Sequence, residues 1–220
     1  MFRIKICGIR SLADAHVAAA AGADAIGLNF YDKSPRHIDP RLALRIAVDL
    51  SDALHRIGVF VNAEPDRIQQ ICPGDRLSAI QLHGDESPEL VAKLHGRSII
   101  RARRMDDRGV AAIAEDLAAC AEAGRLPDAV LVDAMTPGLY GGTGETVSWA
   151  GLADYQKWLG DVPLILAGGL TPDNVAEAIR TVRPWGVDVA SGVESSPGVK
   201  DHAKMRSFVE SAKQAFSEIA

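Results

Sequence analysis

Ala129-Val-Leu-Val-Asp133 is an apolar run of strand length that stops on a carboxylate, and Ala134-Met-Thr-Pro-Gly-Leu-Tyr-Gly-Gly-Thr-Gly144 follows it directly. A buried strand does not need an acid at its end. A plain connector does not need five glycines and prolines in eleven residues. The acid therefore reads as chemistry and the loop as a flap or ligand cradle. Ser148 to Leu159 reads as a helix, so the segment is one strand–loop–helix unit.

The same unit recurs on both sides. Upstream, strands are read at Arg3 to Cys7, Asp24 to Leu28, His55 to Val61, Leu77 to Leu82 and Arg97 to Ala102. Downstream they are read at Pro163 to Ala167 and Gly186 to Ala190. Helices separate them. One follows Ser11 and runs to Ala21, with serine as a good cap and Asp14 at the positive end. Others run from Pro40, which suits a first turn, to Ala53, from Pro65 to Ile71, from Asp107 to Glu122 and from Lys200 to Ile219. Two more open at Ser87-Pro88 and Thr171-Pro172. Most strands are continuous apolar runs, as expected when both faces are buried. Strict strand-then-helix order implies parallel strands with right-handed crossovers. Eight such units in 220 residues fit a compact α/β fold, a (β/α)8 TIM barrel with residues 1–220 as a single domain. A doubly wound open sheet is the alternative.

Bulk properties narrow the function. Apolar residues make up 47% and charged residues 24%, ordinary for a soluble globular chain. The formal charge of -5 gives no electrostatic case for a nucleic-acid or anionic-membrane partner. Cys7, Cys72 and Cys120 are scattered without C-x-x-C spacing. That argues against a disulfide framework or zinc site and for a reducing cytoplasm. The start of the chain enters a strand without a signal-like apolar segment. No apolar run approaches the roughly 20 residues of a membrane span.

In such a barrel, catalytic groups sit at the C-terminal strand ends and in the loops that follow. The unusual residues gather there: Cys7-Gly8, Ser34-Pro35-Arg36, Asn62, Gln81-Leu-His83-Gly84, Arg101 to Arg104, Asp133, Gly168-Gly169 and Ser191-Gly192. The two last pairs lie on adjacent final strands, where this fold often binds phosphate through main-chain N–H groups. Each polar candidate has a bland alternative. Cys7 is either an inert buried thiol or an acid/base; with a pKa near ~8.5 it needs only a modest shift to take a proton at neutral pH. Asp133 is either chemistry, a loop cap, or an ion-pair partner of Arg101 or Arg103. Arg36 is either solvated or a bidentate carboxylate binder. His83 alone reads as structural, and Gln81 can face either side of its strand. Arg101, Arg103 and Arg104 read as mostly solvated.

Lys5-Ile-Cys-Gly8, Lys33-Ser-Pro-Arg36, Gln81-Leu-His-Gly-Asp85, Asp133 with Pro137-Gly-Leu-Tyr-Gly-Gly-Thr-Gly144, and Ala167-Gly-Gly-Leu170 occur together and in order. The set resembles the phosphoribosylanthranilate isomerase family of the tryptophan pathway, over the whole chain. That resemblance implies an Amadori rearrangement of a phosphorylated aminosugar. It makes Asp133 the general acid that opens the ribose ring and Cys7, as thiolate, the base that removes the C2′ proton. Arg36 would hold the anthranilate carboxylate, with Gln81 and His83 at the pocket wall. Gly168, Gly169, Ser191 and Gly192 would hold the phosphate, and Pro137 to Gly144 would cover the substrate. No metal or redox cofactor is implied, and the chain is expected as a monomer or homodimer. Asn29, before Phe30, is more polar than the aliphatic residue the pattern leads one to expect, and Met135 and Thr136 also depart from it. The rival aminoaldose isomerase of the histidine pathway uses two aspartates, and Cys7 stands where the first would be. A non-catalytic phosphate-binding barrel is the alternative from another class.

Overall fold

The computed structural model describes residues 1–50, 54–71, 74, 76–106, 108–133 and 149–219. The expected substrate-covering loop, Pro137 to Gly144, lies outside them, as do Cys72 and the expected first residue of the fifth helix, Asp107. Eight strands form the centre: β1 Ile4–Cys7, β2 Ala25–Asn29, β3 His55–Phe60, β4 Ala79–Leu82, β5 Ile99–Arg104, β6 Ala129–Asp133, β7 Leu164–Ala167 and β8 Gly186–Val189. They pair in parallel in chain order, and β8 returns to β1 to close the barrel. The closing register, Ile4 on Val187, Lys5 on Asp188 and Ile6 on Val189, eliminates the open sheet. Around them lie α1 Leu12–Ala21, α2 Pro40–Asp49, α3 Pro65–Ile71, α4 Pro88–Lys93, α5 Val110–Glu122, α6 Gln156–Leu159, α7 Val175–Val182 and α8 His202–Glu218. A two-stranded hairpin, β9 Glu194–Ser196 and β10 Val199–Lys200, sits between β8 and α8.

Side chains alternate across each strand, which divides the core in two. Ile4, Ile6, Val130, Val132, Val187 and Val189 pack outward against the helices. Phe2, Ala25, Ile57, Ala79, Ile100, Ala129 and Ile165 belong to a separate apolar cluster inside the barrel. Both faces of every strand are thus buried, which is why the strands read as unbroken apolar runs. Toward the C-terminal ends the inward positions become polar: Cys7 on β1, Gln81 on β4, Asp133 on β6 and Asp188 on β8. The Ser11 cap is as read, and a second cap, at Asp39, goes beyond the reading of Pro40 as a first-turn residue. Ser11 Oγ accepts from the Asp14 N–H at 3.1 Å, and Asp39 caps the helix that opens on Pro40.

Two expectations are corrected. The helix read over Ser148 to Leu159 is a 3-10 turn, Trp149–Leu152, followed by the single turn of α6. Trp149, Leu152 and Tyr155 are all buried. A spacing of three matches the 3.0-residue turn of a 3-10 helix rather than an α-helix. The second correction concerns the arginines. β5 runs to Arg104, beyond Ala102, and Ile100 and Ala102 face inward. Arg101 and Arg103 therefore turn into the layer between strand and helices. Arg101 is only 1% exposed. Its Nε and Nη2 donate to Asp116 of α5 at 2.6 and 2.8 Å, and Arg103 Nη2 donates to the same carboxylate at 2.9 Å. Of the three arginines read as solvated, Arg104 alone is exposed.

Candidate active site

Cys7 ends β1 with its thiol buried. Opposite it stands Gly27, where an added Cβ would come within 2.6 Å of Sγ. Burial pushes the thiol up, the Lys5 ammonium pulls it down, and the Asp188 carboxylate pushes it up again; the net direction is upward. This corrects the expectation of a small shift toward thiolate. The resting group is a thiol, held against ionisation by its burial. Lys5 has no exposed surface, and its Nζ lies 2.8 Å from Asp188 Oδ2. Burial works against the ammonium, but Asp188 and Cys7 outweigh it, so Lys5 stays charged.

Arg36 is delivered by the loop after β2. Asn29 accounts for its own polarity here: Oδ1 accepts from the Tyr31 N–H at 2.9 Å, and Nδ2 donates to Ser34 Oγ at 3.2 Å. Ser34 Oγ in turn accepts from the Arg36 N–H at 3.1 Å. The Arg36 stem crosses Gly8, whose φ is +77° and where a Cβ would lie 2.6 Å from Arg36 Cδ. Glycine is therefore required there twice over, for conformation and for space. The guanidinium is bidentate to Glu194, Nε to Oε1 at 2.8 Å and Nη2 to Oε2 at 2.7 Å. Glu194 also accepts from Lys200 Nζ at 2.9 Å and from the Gly198 N–H at 3.2 Å. Burial works to raise the Glu194 carboxyl, yet the bonds from Arg36 and Lys200 prevail and hold it below the usual carboxylate range. The Nε–Nη2 edge of Arg36 is thus fixed on Glu194.

Gln81 is fully buried and its Nε2 lies 2.7 Å from His83 Nδ1. Burial, reinforced by the nearby Lys5 charge, lowers the His83 pKa and keeps the ring neutral. With the amide donating to Nδ1, the ring proton sits on Nε2. Gln81 Oε1 and Asp188 Oδ1 are buried acceptors with no hydrogen-bond donor among the described residues. A cavity of about 580 Å³ opens beside His83 between β4 and β5, with Asn62 and Arg104 on its wall. Asp133 is the last residue of β6, half-buried and inward-facing, in register with Arg104 on one side and Ala167 on the other.

After β7, Gly168 and Gly169 both adopt left-handed backbone, φ +88° and +63°. Asn174 ties that loop down, accepting from the Thr171 N–H at 2.8 Å and donating to the Gly169 carbonyl at 3.0 Å. After β8, Ser191–Val193 forms one 3-10 turn. A Cβ on Gly192 would collide with the Leu170 carbonyl, so the two loops pack directly on one another. Both loops lie on the stretch of rim between Asp133 and Cys7, because β7 and β8 are the strands that separate β6 from β1.

The structure therefore gathers Cys7, Gln81, His83 and Asp133 at one mouth, with Arg36, Gly168, Gly169, Ser191 and Gly192 on its rim. Sequence reasoning assigned no role to Lys5, Asp188, Glu194 or Lys200. For the first two a signal existed: charged residues at inward positions of otherwise apolar strands. For the hairpin pair there was none, since Glu194 reaches Arg36 across 158 residues of chain.

Residues 4–211 match the family described as N-(5′-phosphoribosyl)anthranilate (PRA) isomerase. The N-(5′-phosphoribosyl)anthranilate isomerase of Geobacter sulfurreducens is 46% identical over 213 residues, covering 97% of this chain and 99% of its own. The crystal structure of phosphoribosyl anthranilate isomerase from Thermotoga maritima is 41% identical, with a TM-score of 0.85 over 97% of this chain and 100% of that one. A crystal structure of phosphoribosyl anthranilate isomerase in complex with reduced 1-(o-carboxyphenylamino)-1-deoxyribulose 5-phosphate is 38% identical, with a TM-score of 0.82 over the same shares.

Proposed function

The chain belongs to the N-(5′-phosphoribosyl)anthranilate isomerase family, and from that premise we propose how its barrel mouth performs the family's reaction. That reaction converts N-(5-phosphoribosyl)anthranilate to 1-(2-carboxyphenylamino)-1-deoxyribulose 5-phosphate in L-tryptophan biosynthesis, an aldose–ketose isomerisation. One observation carries the residue assignment. Asp133 and Cys7 end β6 and β1 facing inward, and the strands between them carry the two glycine loops. A phosphate seated on Gly168, Gly169, Ser191 and Gly192 brings its ribose between an acid and a base. The anthranilate then extends toward the loop after β2, where Arg36 meets its carboxylate.

The Asp133 carboxyl gives its proton to the ribose ring oxygen as the C1′–O bond breaks. The anilino nitrogen lone pair forms the C=N bond of a Schiff base. Cys7, as thiolate, takes the C2′ proton. The C–H electrons become the C1′–C2′ double bond, and the C=N electrons return to nitrogen. The enolamine tautomerises to the ketone. Gln81 Oε1, a buried acceptor without a donor among the described residues, suits a hydroxyl group of the open-chain sugar. Neutral His83 carries an N–H on the same wall.

We read the molecule as a cytoplasmic enzyme of one domain, a monomer or homodimer that takes a phosphorylated small molecule and no nucleic acid. No helix among the described residues is long and apolar enough to cross a membrane, and the net charge of -5 disfavours an anionic polymer. Turnover is followed as loss of anthranilate-type fluorescence. Cys7→Ala and Asp133→Ala should each lower kcat by about 10²–10⁴-fold, the usual share of one proton-transfer group. Turnover surviving unchanged in both variants sinks the assignment.

A further inference from the structure

Cys7 has to act as a base from a position where burial opposes its anion, and the groups that answer this lie in the barrel wall. Lys5 sits two residues before Cys7, on the same inward face of β1. It pairs in register with Asp188 across the seam that closes the barrel, Nζ to Oδ2 at 2.8 Å. Nothing in the fold asks for charge there. The other strands fill the same interior with Ala25, Ile57, Ala79, Ile100, Ala129 and Ile165. A buried ion pair gains little for stability, because desolvation consumes most of its attraction and apolar replacements are often neutral or better. Asp188 also leaves Oδ1 without a donor among the described residues, a further penalty for a merely structural pair.

We propose that Lys5 and Asp188 are positioning residues for Cys7: the ammonium holds the sulfur anion, and the carboxylate holds the ammonium in place and limits its effect. This rests on the reading of Cys7 as the base. The charged and titratable groups facing the sulfur are Lys5 on β1, Asp188 on β8, Lys200 on β10 and Arg36 from the loop after β2. Arg36 and Lys200 are committed to Glu194. Lys5 is the cation placed to follow the sulfur through the reaction. When Sγ–H releases its proton to solvent, the ammonium meets two anions. When the thiolate takes the C2′ proton, the new S–H bond restores the neutral thiol, and the ammonium relaxes onto Asp188 alone. Lys5 keeps its own protons throughout.

The test is the pH dependence of Cys7 alkylation by iodoacetamide in the intact folded protein, read by mass spectrometry of the Cys7 peptide. Thiolate is the reacting form, so the midpoint reports ionisation whether or not the enzyme turns over. Lys5→Met should raise the midpoint by about one unit or more, roughly a tenfold slower alkylation at a fixed pH below it. Asp188→Asn should move it the opposite way. Lys5→Arg, which keeps the cation, should recover most of the rate. A pair that only supports the fold would shift both variants alike, and that result, or unmoved midpoints, overturns the proposal. If Lys5→Met does not fold, Asp188→Asn decides: an unchanged or raised midpoint refutes the role. Turnover that survives in Cys7→Ala would remove Cys7 as the base while leaving these midpoints as they are, so the two failures are distinguishable.

Discussion

Glu194→Gln is the perturbation that separates holding Arg36 from using it. The Glu194 carboxylate accepts two bonds from Arg36, one from Lys200 and one from the Gly198 N–H. Glutamine keeps the shape, removes the charge and turns one acceptor into a donor facing a cation. Removing one partner of a buried pair typically destabilises by about 3–5 kcal/mol. Lys200 is 1% exposed at its side chain, but Arg36 is 23% exposed and water screens it. The lower end, about 3 kcal/mol, is therefore appropriate. For a chain of this size that lowers Tm by roughly 6–12 °C. The released guanidinium must be ordered again by each substrate, a penalty of about 1–1.5 kcal/mol per side chain. KM should rise roughly tenfold, with kcat changing less because Cys7 and Asp133 remain in place. Thermal unfolding and steady-state fluorescence measure the two effects. A Tm within about 2 °C of the parent and a KM within about twofold would refute the reasoning, both lying well below the effects just derived.

Two further outcomes follow from the same interactions. Asp116→Asn leaves Arg101, buried in the strand–helix layer, without its counter-charge; chemical denaturation should show a loss of about 3–5 kcal/mol with KM unchanged, and a loss below about 1 kcal/mol, the range of exposed pairs, contradicts the burial argument. Burial, the largest influence on Cys7, raises its thiol above the ordinary value, so the folded chain binds that proton more tightly and the base form gains only as pH climbs. kcat/KM should therefore rise between pH 7 and 9, approaching about tenfold per unit, and a profile flat over that range excludes a Cys7 base that rests as the thiol.

The barrel was legible because its strands are buried on both faces and the helices at Leu12, Pro40 and His202 open on Ser11, Asp39 and Asp201 caps. Ser11 does what its residue type suggests, and the sixth strand, read as Ala129 to Val132, runs one residue further and takes in Asp133. What escaped reading has a common cause. Position in the pleat decides whether a polar residue faces ligand, core or water, and that requires strand ends to within one residue. Arg101 lies inside the strand as read, and its parity with the inward Ile100 and Ala102 sends it into the helix layer; Arg103 follows it only because the strand continues to Arg104. Lys5 stood in a recognised motif, yet only its parity with Cys7 shows that it lies beside the sulfur. In the sixth helix, Trp149, Leu152 and Tyr155 recur every three residues, a period that an α-helical reading of the segment misses. The Arg36–Glu194 contact had no local trace, because closure of the barrel brings its two loops together.

These placements add up to a charge arrangement with a direct consequence. Lys5, Arg36 and Lys200 are three cations around the sulfur, and Asp188 and Glu194 are two carboxylates among them. The surplus is one positive charge, which equals the negative charge of one thiolate. In the resting protein burial still prevails and the thiol keeps its proton; the surplus keeps the anion within reach rather than permanently formed. Removing the Glu194 charge enlarges the surplus while loosening Arg36. The same substitution that weakens substrate binding should therefore shift the alkaline rise of kcat/KM to lower pH. A structural defect alone would weaken binding without moving the profile, so the two effects appearing together in Glu194→Gln would mark Glu194 as part of the electrostatic frame of Cys7 as well as the anchor of Arg36.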